Sequence, residues 1–370
     1  MIRRLFVCCT PYQVFNCAQY LNQLDCQKTQ NDIVICNHFA DAKKIAHNCR
    51  KTRLWNQCFY IKTEYHRSYI ETMNIIHRKN FASMMEESPE FIWNYDEVYL
   101  GTFNNIASII AYRYCVAERK KLIIMDEGIA SYTLTDFKGL FPKKQRLFRS
   151  IFGHIINPKY IESVKLYHPE WYCGDYNFSI EQIKPIDRNQ TDFIGNLNTI
   201  FDYNNELEVI DQVIFFDQPL TISDHSGEYE KAIQRCVELF QKNNITYRIK
   251  WHPRTDESFR NHFGTVSEKT SSLGGWEMIL LNQRHSTSKI YITPFSTAAL
   301  LGKMLFNDDD IVIFLYKILN LNVPNIDKFV SNIQKVTANI YIPERWENIE
   351  VILANKDKIN QKEWKIGSYE

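Results

Sequence analysis

Two polar tripeptides, each placed directly after a strand-like apolar run, constrain this chain more than any other feature. Asp126-Glu127-Gly128 follows Leu122-Ile123-Ile124-Met125, and His252-Pro253-Arg254 follows Tyr247-Arg248-Ile249-Lys250-Trp251. One stands in each half of the sequence. In open α/β sheets, ligands bind outside the carboxyl ends of the strands. The pair therefore predicts two α/β domains around one cleft, with carboxylates on one wall and an imidazole beside an arginine on the other.

At 370 residues two domains are the natural division, expected at 1–200 and 201–370. Residues 5–10 read as a buried strand, after which Pro11 and Tyr12 open a helical pattern through Val14, Phe15, Ala18 and Leu21. Further strands are predicted at 32–36, 58–61, 97–100 and 122–125, with a helix over 104–118. Residues 187–205 are polar and read as the crossing between domains. The pattern then restarts, with strands at 213–216, 246–251, 289–292 and 311–315 and helices over 228–241, 275–282 and 296–304. Strand alternating with helix gives a parallel, doubly wound sheet. Two such Rossmann-like halves facing a central cleft describe the GT-B arrangement, and the last helix is expected to pack back on the first domain.

Composition closes off several functions. A net charge of +1 supplies no global field for nucleic acid. Ten cysteines occur without a single CxxC, which fits buried thiols in a reducing compartment better than a disulfide scaffold. No run reaches the roughly 18 apolar residues that span a bilayer, and the start, with Arg3 and Arg4 before a short apolar run, reads as the first strand rather than a signal peptide. No GxGxxG follows the first strand, and no GxxxxGK[ST], HExxH, GxSxG or clustered Cys/His metal site is present. Residues 137–152 are basic and aromatic together, a composition that suits either an anionic membrane surface or an amphipathic helix against the core.

Gly128 allows a turn with positive φ that holds Asp126 and Glu127 at the sheet rim. There one carboxylate can take a proton from an attacking hydroxyl, the alternative being a solvated turn or a helix cap. His252, Pro253 and Arg254 offer an anion site, since proline is tolerated at a helix start and free N–H groups point outward there. The alternative is a capped loop. Thr293-Pro294-Phe295-Ser296-Thr297 opens an alanine-rich segment with two hydroxyls that can hold phosphate oxygens or merely cap the helix. Glu277, on the short helix before that strand, can accept hydrogen bonds from ribose. Tyr167-His168-Pro169 repeats the His-Pro dipeptide with no arginine beside it and no sheet restarting behind it, and reads as structural.

Taken in order, Phe6-Val7-Cys8-Cys9-Thr10-Pro11-Tyr12-Gln13, Asp126-Glu127-Gly128, Phe216-Asp217-Gln218-Pro219, His252-Pro253-Arg254, Glu277 and the segment from Tyr291 to Ala299 resemble the bacterial sialyltransferases of glycosyltransferase family 52. These are the lipooligosaccharide and capsule sialyltransferases. Related polysialyltransferase families share the acidic-acidic-Gly, His-Pro and paired Ser/Thr elements. The resemblance implies a GT-B fold, CMP-sialic acid as donor, a terminal galactose as acceptor, inversion, no metal and no cofactor. The expected location is the cytoplasm, with the basic aromatic stretch 137–152 as the contact to the inner membrane, and the resemblance allows a homodimer. On this reading His252 binds or protonates the CMP phosphate, with Pro253 and Arg254 beside it. Ser296 and Thr297 hold the phosphate, Glu277 the ribose, and Thr10, Gln218 and Pro219 complete the donor side. Some members use an aspartate after the strand opening the second domain. Here Asp217 lies slightly upstream and Leu220 stands where that aspartate is expected, whereas related families place the base at the first acidic residue of the acidic-acidic-Gly motif, so the resemblance assigns it to Asp126, with Glu127 beside it. Another nucleotide-sugar transferase, such as a hexosyl transferase, is the competing reading on the same scaffold.

Overall fold

The computed structural model describes residues 1–24, 28–62, 91–103, 105–134, 156–203, 213–220, 226–252, 254–263, 273–283 and 289–355. Pro253 and the basic aromatic stretch 137–152 lie outside them. Among the described residues no helix is long and apolar enough to cross a membrane.

The chain forms two compact units, Met1–Asn205 with Thr270–Asn282, and Glu206–Lys269 with Gln283–Glu370. The first holds seven strands: β1 (Ile2–Cys8), β2 (Thr29–Cys36), β3 (Gln57–Ile61), β4 (Glu97–Leu100), β5 (Lys121–Met125), β6 (Ile161–Leu166) and β7 (Ser179–Gln182). They lie in the order β3-β2-β1-β4-β5-β6-β7, every pair parallel. The central strands are nearly continuous apolar runs because helices cover both faces. The strand order reverses at β1, so the loops after β1, β4 and β5 meet beside the switch point.

After β1, Thr10 caps helix α1 (Pro11–Asn22) by accepting the Gln13 N–H at 3.1 Å, with Pro11 in the first turn as anticipated. Gln13, Asn16 and Gln19 are buried on this helix, at a spacing of three residues that lines up one polar row inside the unit. Helix α2 (Ala42–Cys49) follows β2.

Three parts of the sequence reading change here. Within residues 187–205, read as a polar crossing, most of the chain is helical and belongs to the first unit, which ends at Asn205. Thr191–Phe201 is a helix that buries Phe193, Leu197, Ile200 and Phe201, with Asn48 Nδ2 of α2 donating to the Ile200 carbonyl at 3.2 Å. The strands β6 and β7 were not anticipated, because β6 carries Glu162, Ser163 and Lys165 and β7 is a largely exposed edge. Lys165 is nevertheless buried, paired with Glu181 directly across from it on β7. Finally, the Trp276–Asn282 helix belongs to the first unit. Arg188 grips the Leu280 carbonyl at 3.1 and 3.2 Å, and Asn198 and Asn282 exchange amide hydrogen bonds at 2.9 Å.

The second unit has five parallel strands, β8 (Val213–Phe216), β9 (Tyr247–Lys250), β10 (Ile290–Thr293), β11 (Ile311–Phe314) and β12 (Ile340–Tyr341), in the order β12-β11-β10-β8-β9. Its core combines Phe215, Ile249, Ile292 and Ile313 from the sheet with Tyr229, Ile233 and Phe240 of the Ser226–Lys242 helix. Ile349, Ile352 and Leu353 of Trp346–Ala354 join the same core, so this last described helix packs on the second unit.

Candidate functional site

In the first unit the carboxyl ends of β1, β4, β5 and β6 are neighbours, and the segments after β1, β5 and β6 deliver polar groups. Asp126 leaves β5 fully buried. Its Oδ1 accepts the Gly128 N–H at 2.7 Å, and its Oδ2 accepts the Tyr132 hydroxyl at 2.6 Å and the Tyr167 N–H at 3.3 Å. Burial pushes its pKa up to about 6 against the pull of these bonds. Asn16 Nδ2 holds the Asp126 carbonyl at 2.9 Å and its Oδ1 accepts the Tyr167 hydroxyl at 2.9 Å. Asp126 is thus a closed hub joining α1, β5 and β6.

Glu127 points differently. It is partly exposed, and its Oε2 accepts Gln13 Nε2 at 2.5 Å while its N–H donates to Ser131 Oγ at 2.8 Å. Burial raises its pKa to about 7, the Gln13 bond opposing and the Asp126 charge adding to the rise. The sequence reading gave the base to Asp126. In the folded chain Asp126 is fully buried, and Glu127 is the partly buried residue of the pair.

Gly128 has φ 81° and ψ −151°, the positive φ anticipated from sequence and a region that a side chain does not tolerate. Replacing Gly128 by alanine is expected to lower stability by about 1–3 kcal/mol in denaturant titration. An unchanged midpoint would show that the loop adapts freely.

Tyr167 and His168 leave β6, and the sheet continues behind them as β7, so the second His-Pro dipeptide stands at the carboxyl edge of the first sheet. His168 stacks on Trp171 with centroids 4.0 Å apart, its Nδ1 is 2.9 Å from Glu170, and its N–H donates to the Tyr132 hydroxyl at 3.3 Å. Glu277 is buried in this unit too. Its Oε1 accepts the Gly275 N–H at 3.3 Å, and its charge raises the pKa of the Tyr12 and Tyr167 phenols, which burial already lifts. The ribose partner anticipated at Glu277 therefore lies in a different unit from His252, Ser296 and Thr297. The cause is its helix, which buries Trp276, Met278 and Leu280 with the first unit.

In the second unit β10, β8 and β9 are adjacent, so the loops after them share one edge. Asp217 is buried after β8, where its Oδ1 accepts the Tyr229 hydroxyl at 2.6 Å and its Oδ2 accepts the His252 N–H at 3.0 Å and the Thr255 hydroxyl at 2.5 Å. This carboxylate fastens the loop after β9. His252 is partly exposed, and its Nδ1 accepts the Arg254 N–H at 3.1 Å, so the neutral ring carries its proton on Nε2. Burial, Arg254 and Arg260 lower its pKa. Gln218 Oε1 accepts the Phe295 N–H at 2.9 Å, joining the β8 and β10 loops, and Pro219 follows it. Ser296 donates its N–H to Thr293 Oγ1 at 3.0 Å and accepts the Ala298 N–H at 3.3 Å, so its hydroxyl caps the turn that Thr297 begins. Thr10, in the first unit, likewise spends its hydroxyl on a cap.

The sequence by itself points to no role for Asn16, Gly101 or Tyr132, and to no buried partner for Gln13 or Tyr167. The amide row on α1 was the available signal, since such residues inside an apolar helix need buried partners.

Among solved structures, UDP-GlcNAc 2-epimerase from Methanocaldococcus jannaschii is similar with a TM-score of 0.54 at 11% identity, covering 100% of this chain and 95% of that one. Arabidopsis thaliana UGT89C1, complexed with UDP, gives 0.52 at 11% identity, covering 100% and 97%. Spinosyn forosaminyltransferase SpnP gives 0.50 at 10% identity, covering 96% and 90%. At these identities the likeness shows the fold, which is GT-B. No curated protein matches the sequence. The sequence model of the alpha-2,8-polysialyltransferase (POLYST) family matches residues 4–284, which spans Asp126-Glu127-Gly128, His252 and Glu277. The chain belongs to the alpha-2,8-polysialyltransferase family.

Proposed function

We propose that this chain is an inverting, metal-independent sialyltransferase that takes sialic acid from CMP-sialic acid, with Glu127 as the base. The observation that carries the proposal is a partly exposed carboxylate with a pKa near 7 at the carboxyl edge of the first sheet, in a chain of sialyltransferase family. Such a group takes a hydroxyl proton at neutral pH and returns it to water afterwards. The acceptor oxygen attacks the anomeric carbon from the face opposite the phosphate, and the bond to CMP breaks. The departing phosphate gains charge, which the Nε2–H of neutral His252 and the backbone N–H groups near Ser296 and Thr297 are suited to hold. Asp217 keeps the His252 loop in place for this, and Asp126 does the same for the β5 turn.

The acceptor on this reading is the terminal galactose of a bacterial lipooligosaccharide or capsule glycan, as in family 52. The family match favours a second reading, in which the acceptor ends in sialic acid and the new linkage is α2,8. Release of CMP from CMP-sialic acid in EDTA, with lactose, with α2,8-disialyl-lactose and with neither, tests the proposal. Release stimulated by either acceptor supports it, and the better acceptor selects between the readings. Turnover of a UDP-hexose, with CMP-sialic acid left intact, overturns it.

A further inference from the structure

We propose that the cleft between α2 and the edge strand β3 is a binding site for a phosphate ester, separate from the site of transfer. Lys43, Lys44, His47 and Arg50 line it from the helix and its cap, Tyr60 lines it from β3, and Asp41 is the acid among the described residues there. Its volume is about 440 Å³, within the range of small-molecule sites. β2, β1 and β4 stand between β3 and β5, so at about 4.8 Å per strand β3 lies roughly 19 Å across the sheet from the strand that carries Asp126.

Every exposed residue from 43 to 53 is basic: Lys43, Lys44, His47, Arg50, Lys51 and Arg53. The whole chain carries a net charge of only +1, so this is a local concentration of charge and not a share of a global one. The stability of the helix does not ask for it. The helix dipole favours acids in the first turn, whereas α2 has none there and opens with two lysines. Asp41, at the N-cap with φ 60°, makes no side-chain cap bond. Lys44 is offset by Asp202 at 2.6 Å, an exposed pair of small worth. Arg50 is held in advance, since its Nε donates to the Cys58 carbonyl at 3.1 Å and fixes the guanidinium against β3. Lys43 Nζ stands 6.0 Å from the centroid of the Tyr60 ring. A planar fork and two ammonium heads around one cleft suit an anion with several oxygens. A phosphate ester offers three oxygens and close to two charges at neutral pH, more than a carboxylate does.

A built site depends on the residues that line it, whereas diffuse attraction depends on the basic surface as a whole. Lys51 supplies the control, because it is exposed on the same stretch but does not line the cleft, and its Nζ donates to Asn48 Oδ1 at 2.8 Å. The test is calorimetric titration of the full chain with glycerol 3-phosphate, CMP being present to fill the donor side, for wild type, Lys43→Gln/Arg50→Gln and Lys51→Gln. Co-sedimentation of the same proteins with phosphatidylcholine vesicles, with and without phosphatidic acid, separates a lipid head group from a soluble ester. The double variant is expected to bind at least roughly 30-fold more weakly and Lys51→Gln within about twofold of wild type. Lys43→Gln alone, which keeps the Arg50 bond to β3, is expected to lose about fivefold and carries the test if the double variant does not fold. If the soluble ester is silent and the vesicles containing phosphatidic acid show the same contrast, the proposal stands with a lipid as the source of the phosphate. Binding of neither probe by wild type, or an equal loss in Lys51→Gln and the double variant, overturns it. So does tighter binding of an oligosialic acid that the double variant abolishes, which would make the cleft a glycan site.

Discussion

Replacing Glu127 by glutamine is expected to give a folded protein whose turnover falls by about 10²–10⁴-fold, the usual contribution of a positioned base. Glutamine still offers an oxygen to Gln13 Nε2, so the local hydrogen bond survives and only the proton acceptor is lost. The same substitution should change how stability depends on pH. The Glu127 pKa is raised from 4.5 to about 7 in the fold, so the native state binds the proton more tightly than the unfolded chain. Its contribution is fully present below about pH 4.5 and is lost as pH rises through about 7. Glu127→Gln removes that loss, so its melting temperature should gain on wild type as pH rises through this window. Asp126, raised from 3.8 to about 6, contributes in the same direction in both proteins, less in the variant, where its repulsion with Glu127 is gone. A melting difference that does not change with pH would mean that Glu127 titrates as an ordinary surface carboxylate, and its candidacy as base would fall.

The second large effect is expected at Asp217. Asp217→Ala removes the acceptor for three donors at once, the Tyr229 hydroxyl, the His252 N–H and the Thr255 hydroxyl, and Tyr229 and Thr255 are buried. Each buried donor left unpaired costs about 1–3 kcal/mol, so a loss of roughly 3–5 kcal/mol is expected in denaturant unfolding, with CMP binding weakened as the His252 loop loosens. Asp217→Asn keeps one acceptor oxygen and should fall between. If Asp217→Ala instead unfolds like wild type and binds CMP normally while turnover collapses, Asp217 is the base after all, as in those family 52 members with an aspartate after the corresponding strand.

Some of this was readable in the residues. β1, β2, β4, β5, β8 and β10 are short apolar runs ended by polar or small residues, which is how a strand buried on both faces must look. β6 hid because Lys165 sits in a buried strand position, stable only beside Glu181 on a strand that looks like a loop. The Thr191–Phe201 helix was hidden by composition, although Phe193, Leu197, Ile200 and Phe201 fall at helical spacing.

By itself the sequence determined two parallel α/β sheets, the strand ends from which Asp126, Glu127, Asp217 and His252 emerge, and the need for glycine at 128. Only the tertiary structure decided which acid of the adjacent pair is enclosed. Consecutive side chains leave a strand toward opposite sides, and nothing local says which side is filled. Asn16, Tyr132 and Tyr167, brought in from α1, the short helix Ile129–Tyr132 after β5 and the end of β6, close around Asp126, while Glu127 lies against Gln13 in the space left at Gly101. Tertiary structure likewise carried Glu277 into the first unit, because the apolar face of its helix found its buried partners there.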